Sequence, residues 1–205
     1  MKMLTSLANH KQQALSQLKT AIEAYQPLSQ STWLAMQQLC SLARLDKNQT
    51  LYPVGTIPKS FAFVVSGLVR VFITDEKGSE YNKHFFTEAM FPGAMTSLLT
   101  QTPSLYCYQA IEQSVVIEID FKGYRELLLQ ADDLKLFHIY YLEKNWLLAK
   151  DAREVEIVQQ DASERYAQFV ENNNALAQRL PQYHIASHLG ITPTQLSRIR
   201  KKLLV

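Results

Sequence analysis

The spacing of hydrophobic residues changes twice along this chain of 205 residues, and only a molecule with both helices and a sheet can absorb both changes. Near the N-terminus Leu15, Leu18, Ile22 and Tyr25 recur at helical spacing. Pro27 breaks that pattern, and Ser29–Ser31 offer a new N-cap. Trp33, Met36, Leu39, Cys40 and Leu42 continue an apolar face, so residues 4–45 read as helical. From Asp46 the pattern shortens to β-branched and aromatic runs over 51–55, 61–65, 67–73 and 115–119. Asp75-Glu76-Lys77-Gly78 punctuates them as a hairpin turn. Many short strands of this kind predict a small antiparallel barrel or sandwich, with Phe121–Leu129 a short helix leaving it.

The helical period returns from Asp132 to about Gln159. Leu134, Tyr141, Leu148 and Val155 fall at a strict seven-residue interval, the seam of a coiled coil, which predicts a homodimer. The companion row, His138, Asn145 and Ala152, is weaker, and an ordinary helix packed on its own barrel is the alternative. Asp161-Ala162-Ser163-Glu164 then caps a further helix over 162–172, ended by Asn172-Asn173-Asn174.

Charge is distributed unevenly. The chain carries 21 Lys+Arg and 19 Asp+Glu, a net +2. Residues 175–205 hold five bases (Arg179, Arg198, Arg200, Lys201, Lys202) and no acid, which leaves 16 bases against 19 acids before them. A basic, acid-free end on an otherwise acidic chain predicts a polyanionic partner for that end.

The same end has a local pattern of its own. Pro181 suits a first helical position, Ile185 and Leu189 form an apolar stripe, and Ala186 is small enough for a second helix to cross closely. Gly190 can take the left-handed conformation that stops a helix, and Ile191 plugs the corner. Thr192-Pro193-Thr194-Gln195 fits a capping box with proline at its favoured place. Leu196, Ile199 and Leu203 are expected to face inward, leaving Thr192, Thr194, Gln195, Ser197, Arg198, Lys201 and Lys202 to meet DNA. Together these form a helix-turn-helix; a hairpin of helices that merely packs is the lesser alternative. His184 and His188, four apart, are read as surface or phosphate-facing histidines.

A β-rich unit, a long helix and a terminal helix-turn-helix in this order resemble the Crp–Fnr family of bacterial regulators. The resemblance covers roughly 45–205 and is carried best by Phe63-Val64-Val65-Ser66-Gly67-Leu68-Val69-Arg70-Val71 and by Ile185–Leu203. It implies an α+β chain: N-terminal helices, an antiparallel β-roll or jelly-roll sensor, a long dimerisation helix and a helix-turn-helix. The domains would be residues 1–131, 132–160 and 161–205. Arg198 matches the family's guanine-pairing arginine. The family's nucleotide cassette, Gly-Glu followed by Arg-Ser/Thr-Ala, is not kept: Gly93 precedes Ala94, and Ser104-Leu105-Tyr106 stand at the second motif. Cyclic AMP is therefore expected to bind weakly or not at all, unless Arg70 or Lys83 replaces the missing cation. The wing hairpins of the family are also expected to be missing.

An effector pocket, should one exist, would be apolar and aromatic: Met90, Phe91, Gly93, Met95, Ser104, Tyr106 and Tyr108. No other chemistry is encoded strongly. Cys40 and Cys107 have no metal-ligand spacing and are read as buried thiols. Neither a Ser/His/Asp set nor paired carboxylates stand out, so no catalytic residue, cofactor or metal is expected. The sequence shows no export signal or membrane-length apolar run, which predicts a cytoplasmic protein. The competing function is a cupin-like small-molecule sensor without DNA binding, for which the barrel offers only His84, Glu80 and Glu88.

Overall fold

The β-branched runs pair into two antiparallel sheets stacked face to face, with helices closing one outer side and the C-terminal unit the other. A computed structural model describes the backbone of residues 2–203, and their side chains except those of 2–8, 152 and 155–157. One sheet has the order β1 (Cys40–Leu45), β7 (Ser114–Asp120), β3 (Ser60–Ser66). The other has the order β2 (Thr50–Tyr52), β6 (Cys107–Ala110), β4 (Val69–Thr74), β5 (Glu80–Phe86).

Successive side chains on a strand point to opposite faces, and that alternation divides the molecule into three cores. Between the sheets lie Leu45, Ala62, Val64 and Val116 from the first and Tyr52, Val69, Val71, Tyr108 and Ala110 from the second. The other face of the first sheet offers Phe61, Phe63, Ile117 and Ile119. That face is covered by α1 (Lys2–Glu23), α2 (Gln30–Gln38), α4 (Phe121–Gln130) and α5 (Asp132–Leu142), while α3 (Met95–Thr100) adds Leu98. The Asp133 carboxylate ties α5 to the start of α2, accepting from the Ser29 N–H at 2.7 Å and the Thr32 hydroxyl at 2.9 Å.

On the outer face of the second sheet sit α7 (Ala162–Asn172), α8 (Asn174–Arg179), α9 (Gln182–Leu189) and α10 (Pro193–Leu203). Phe169, Leu180, Ile185, Ala186, Leu189 and Leu196 close there on Leu68, Phe85 and Ile111. Burying a side chain of this size is worth about 1.5–3 kcal/mol, so the C-terminal unit is seated on the roll rather than tethered beside it.

The long helix runs through α5, a π-helical segment Glu143–Leu147 and α6 (Leu148–Gln159). The seven-residue row does not stay on one free face. Leu134 is fully buried and Tyr141 half-buried, both against the chain's own helical core, whereas Leu148 is exposed. The side chain of Val155 lies outside the described residues. The exposed apolar residues of this helix are instead Leu136, Ile139, Tyr140, Leu142, Trp146, Leu147, Leu148 and, near its end, Val158.

Other expectations shift in detail. Helix α2 stops at Gln38, and Cys40 and Leu42 belong to β1, because their strand completes the sheet against β7. β5, β6, α3 and α8 are elements the sequence pattern did not announce. Pro181 takes the cap position before α9 rather than its first turn. The 75–78 hairpin forms as expected, and among the described residues no strand follows Asp120, so no wing hairpin is present. Burial pushes the Cys40 thiol up to about 12, which leaves it inert at neutral pH.

Candidate nucleic-acid interface

The corner between α9 and α10 is built as its residues require. Gly190 has φ +68°, and the Ile191 N–H donates to the Ala186 carbonyl at 3.0 Å, closing the last turn of α9. The capping box forms in both directions: the Gln195 N–H donates to Thr192 Oγ1 at 3.2 Å, and the Thr192 N–H donates to Gln195 Oε1 at 2.8 Å. Leu196 is buried in the unit's core, and Ile199 is half-buried. Leu203, expected inward, is exposed, since α10 extends past its support there.

Thr192, Thr194, Gln195, Ser197, Arg198, Lys201 and Lys202 are all exposed. The side chain of Gln195 is engaged in the cap and shapes the corner. Arg198, Lys201 and Lys202 form no ion pair among the described residues, so their charge is available to a partner. Helix α9 turns its other side to the roll, and here the two histidines depart from expectation. His184 is 5% exposed, and His188 is half-buried with Nδ1 at 2.8 Å from the Asn82 carbonyl.

The contact is a polar network beside the apolar cluster of Leu68, Phe85, Ile185 and Leu189. Arg70, 6% exposed, donates from Nε and Nη2 to Gln109 Oε1 at 3.0 and 2.7 Å, and pairs with Glu80. Its Nη1 also reaches Asn82 Oδ1 at 3.2 Å and His184 Nδ1 at 3.3 Å. The Asn82 side-chain amide, fully buried, lies 3.2 Å from the same Nδ1 and donates to the His184 carbonyl at 3.3 Å. The Asn82 N–H donates to Ser187 Oγ at 3.0 Å, and the Ser187 hydroxyl donates to the Glu80 carbonyl. A second tie lies at the rim, where Arg179 donates to both oxygens of Glu88 at 2.9 and 3.0 Å and to Glu112 at 2.6 Å. Burial, and after it the Arg70 guanidinium, push the His184 ring down to about 4. Sequence reasoning missed Arg70, Asn82, Gln109 and Arg179 as a group. The one available signal was Arg70, a charge in the middle of an apolar strand.

The residues expected to line an effector pocket divide between two cores. Tyr106 and Tyr108 belong to the core between the sheets, with Ala94 beside them, while Phe91 and Met95 pack into the helical core around Phe63 and Phe137. The Met90 thioether accepts from the Thr87 N–H at 3.3 Å. The Tyr108 hydroxyl donates to the Gly93 carbonyl at 2.8 Å, and Ser104 Oγ donates to the Tyr106 carbonyl at 2.9 Å. Arg70 points out of the roll toward α9, so it does not replace the missing phosphate cation. Lys83 does face this region, its Nζ standing 4.6 Å from the Tyr106 ring centroid. Glu80 and Glu88 are spent on Arg70 and Arg179, and no group of three metal-ligating side chains occurs among the described residues.

The family model for the cyclic nucleotide-binding domain matches residues 42–131, the two sheets and the helix that leaves them. Over this segment the chain is similar to cyclic nucleotide-binding domains. Beyond the domain, solved structures share the arrangement of nearly the whole chain. FixK2 from Bradyrhizobium japonicum is 18% identical, covers 80% of this chain and 84% of its own, and superposes with TM-score 0.66. The c-di-GMP-responsive global regulator CLP of Xanthomonas campestris is 14% identical over 86% and 92%, with TM-score 0.68. The catabolite activator protein of Thermus thermophilus is 21% identical over 86% and 84%, with TM-score 0.51. At these identities the likeness establishes the fold alone: the two sheets, their helices and the C-terminal unit are arranged as in those structures. No curated protein sequence matches the chain. Among the described residues, no helix is long and apolar enough to cross a membrane.

Proposed function

We propose that the chain is a dimeric, sequence-specific DNA-binding transcription regulator whose reading element is α10. The observation that carries this is the outer face of α10: Thr194, Ser197, Arg198, Lys201 and Lys202 are exposed, unpaired among the described residues and free of acids, on a helix fixed by a glycine corner. Arg198 can offer two parallel donors to guanine O6 and N7, a match worth ~1–3 kcal/mol of discrimination. Lys201 and Lys202, toward the end of the helix, suit phosphates and salt-dependent affinity. Binding-site selection followed by titration tests the assignment. Arg198→Ala should flatten preference at one base pair, while Lys202→Ala should weaken all sequences alike and shallow the salt slope by about one. Unchanged selectivity and affinity in both variants would leave a sensor without DNA binding.

The second copy would join through the long helix, on the stripe of Leu136, Ile139, Tyr140, Trp146 and Leu147 rather than the Leu134–Tyr141 row. Ile139 and Tyr140 stand three and four residues after Leu136, and Trp146 and Leu147 follow seven residues after Ile139 and Tyr140, the spacing of a helix–helix seam. Leu147→Asp puts a carboxylate into that seam and should yield monomers at micromolar concentration in sedimentation equilibrium. A monomeric wild type would refute the seam. The roll would serve such a regulator as a sensor whose effector is not cyclic AMP. The lost cassette charges, the engaged Ser104 hydroxyl and the outward Arg70 all support that reading.

A further inference from the structure

His184 holds a position in which only its neutral form satisfies its neighbours. Two donors converge on Nδ1: Arg70 Nη1 at 3.3 Å and the Asn82 side-chain amide at 3.2 Å. The Asn82 orientation is fixed independently, because its Oδ1 accepts from Arg70 and its Nδ2 donates to the His184 carbonyl. Nδ1 must therefore present a lone pair, which places the ring proton on Nε2. A second proton would set a donor against two donors and a cation against a guanidinium.

We propose that α9 is latched to the sensor through neutral His184, and that mild acidification releases the C-terminal unit from the roll. The groups that face the ring are Arg70 from β4, Glu80 and Asn82 from β5, and Tyr183 and His188 from its own helix. Glu80 could offset a charged ring, but it is already paired with Arg70. At the rim tie, burial pushes the Glu88 carboxyl up, but the hydrogen bonds from Arg179 and from the Gly67 N–H outweigh it and hold the group below its ordinary value. Release therefore falls between the ordinary imidazole range and about 4, the value to which burial and Arg70 push His184 when docked. In sign, a group whose docked pKa is depressed supports docking above its free value and withdraws that support as pH falls.

The amide of Asn82 reports docking directly, since it donates to Ser187 Oγ across the junction. Its exchange with deuterium can be followed by NMR in the intact chain, corrected for the intrinsic effect of pH. Its protection should fall roughly twentyfold from pH 7 to pH 5 in wild type. His184→Gln keeps an acceptor for both donors and carries no titrating group, so its protection should stay level over that range. His188→Gln should retain most of the fall. An unchanged wild type, or a fall that persists in His184→Gln, overturns the proposal. Should the glutamine variant fail to dock at any pH, the ring nitrogens of wild-type His184 decide it. Titration near 6.5, or a proton on Nδ1 at pH 7, would overturn the latch. The readout involves no DNA, so it stands or falls separately from the reading assigned to α10.

Discussion

Arg70→Met should lower the unfolding free energy by about 3 kcal/mol, the lower end of the 3–5 kcal/mol seen when one member of a buried charged pair is removed. Methionine keeps an unbranched stem of similar length, so packing over the Phe72 ring, where the guanidinium now sits 3.8 Å from the centroid, is largely preserved. What disappears is the donor set. Gln109 Oε1 loses two part-buried bonds, and Asn82 Oδ1 and His184 Nδ1 each lose one that is buried. The lower end of the range applies because the Glu80 carboxylate is part-exposed and can recover hydration. Urea denaturation measures the loss, and Arg198→Ala on the exposed face of α10 should change stability by less than about 0.5 kcal/mol. A loss under about 1 kcal/mol for Arg70→Met would mean that the network does not hold the sensor and the C-terminal unit together.

That network also marks how far the sequence could be read. The helix-turn-helix was legible because its signals are local: Gly190 in the corner, the Thr192–Gln195 cap and the spacing of Ile185, Leu189 and Leu196 lie within twelve residues. The strands β3, β4 and β7 were legible because they are buried on both faces and read as continuous apolar runs. β5 was not. Its sequence, Glu80-Tyr81-Asn82-Lys83-His84-Phe85-Phe86, has a polar residue at a buried position, because what covers Asn82 is α9, a hundred residues away. The same distance hid His184 and His188, whose four-residue spacing says nothing about the surface that α9 meets. The long helix failed differently. A seven-residue row records which residues share a face, not what lies opposite. Here Leu134 and Tyr141 meet the chain's own core, and the π-helical segment turns the phase before Leu148. The pocket residues scattered because neighbours along one loop fall on opposite sides of a sheet: Phe91 and Met95 pack toward the helices, Ala94 and Tyr106 toward the roll.

Gly67→Ala is the substitution at which backbone geometry and the seat of α9 meet, and it should destabilise the chain by about 3–5 kcal/mol. Gly67 has φ +102°, a conformation that side chains other than hydrogen rarely tolerate. A Cβ there would stand 2.2 Å from Ser114 Oγ and 2.6 Å from Ser114 Cα, so rotating one side chain cannot relieve the overlap. Ser114 has nowhere to retreat. It is fully buried, accepts from the Leu68 N–H at 3.1 Å and donates to the Glu112 carbonyl at 2.8 Å. The strain would therefore move the β3–β4 turn itself. The Gly67 N–H donates to Glu88 Oε1 at 2.9 Å, and Glu88 is the carboxylate that holds Arg179. Leu68, the next residue, packs with Phe169, Ile185 and Leu196 in the core beneath the C-terminal unit. Thermal denaturation should show a fall on the order of 10 °C, since about 1 kcal/mol corresponds to roughly 2–4 °C in a chain of this size. Ser114→Gly in the same background removes the clash with the hydroxyl oxygen but leaves the one with the Ser114 backbone, so it should recover only part of the loss. Full recovery would mean that the turn can yield, and a melting temperature within about 2 °C of wild type for Gly67→Ala alone would mean that the close approach to Ser114 is absent.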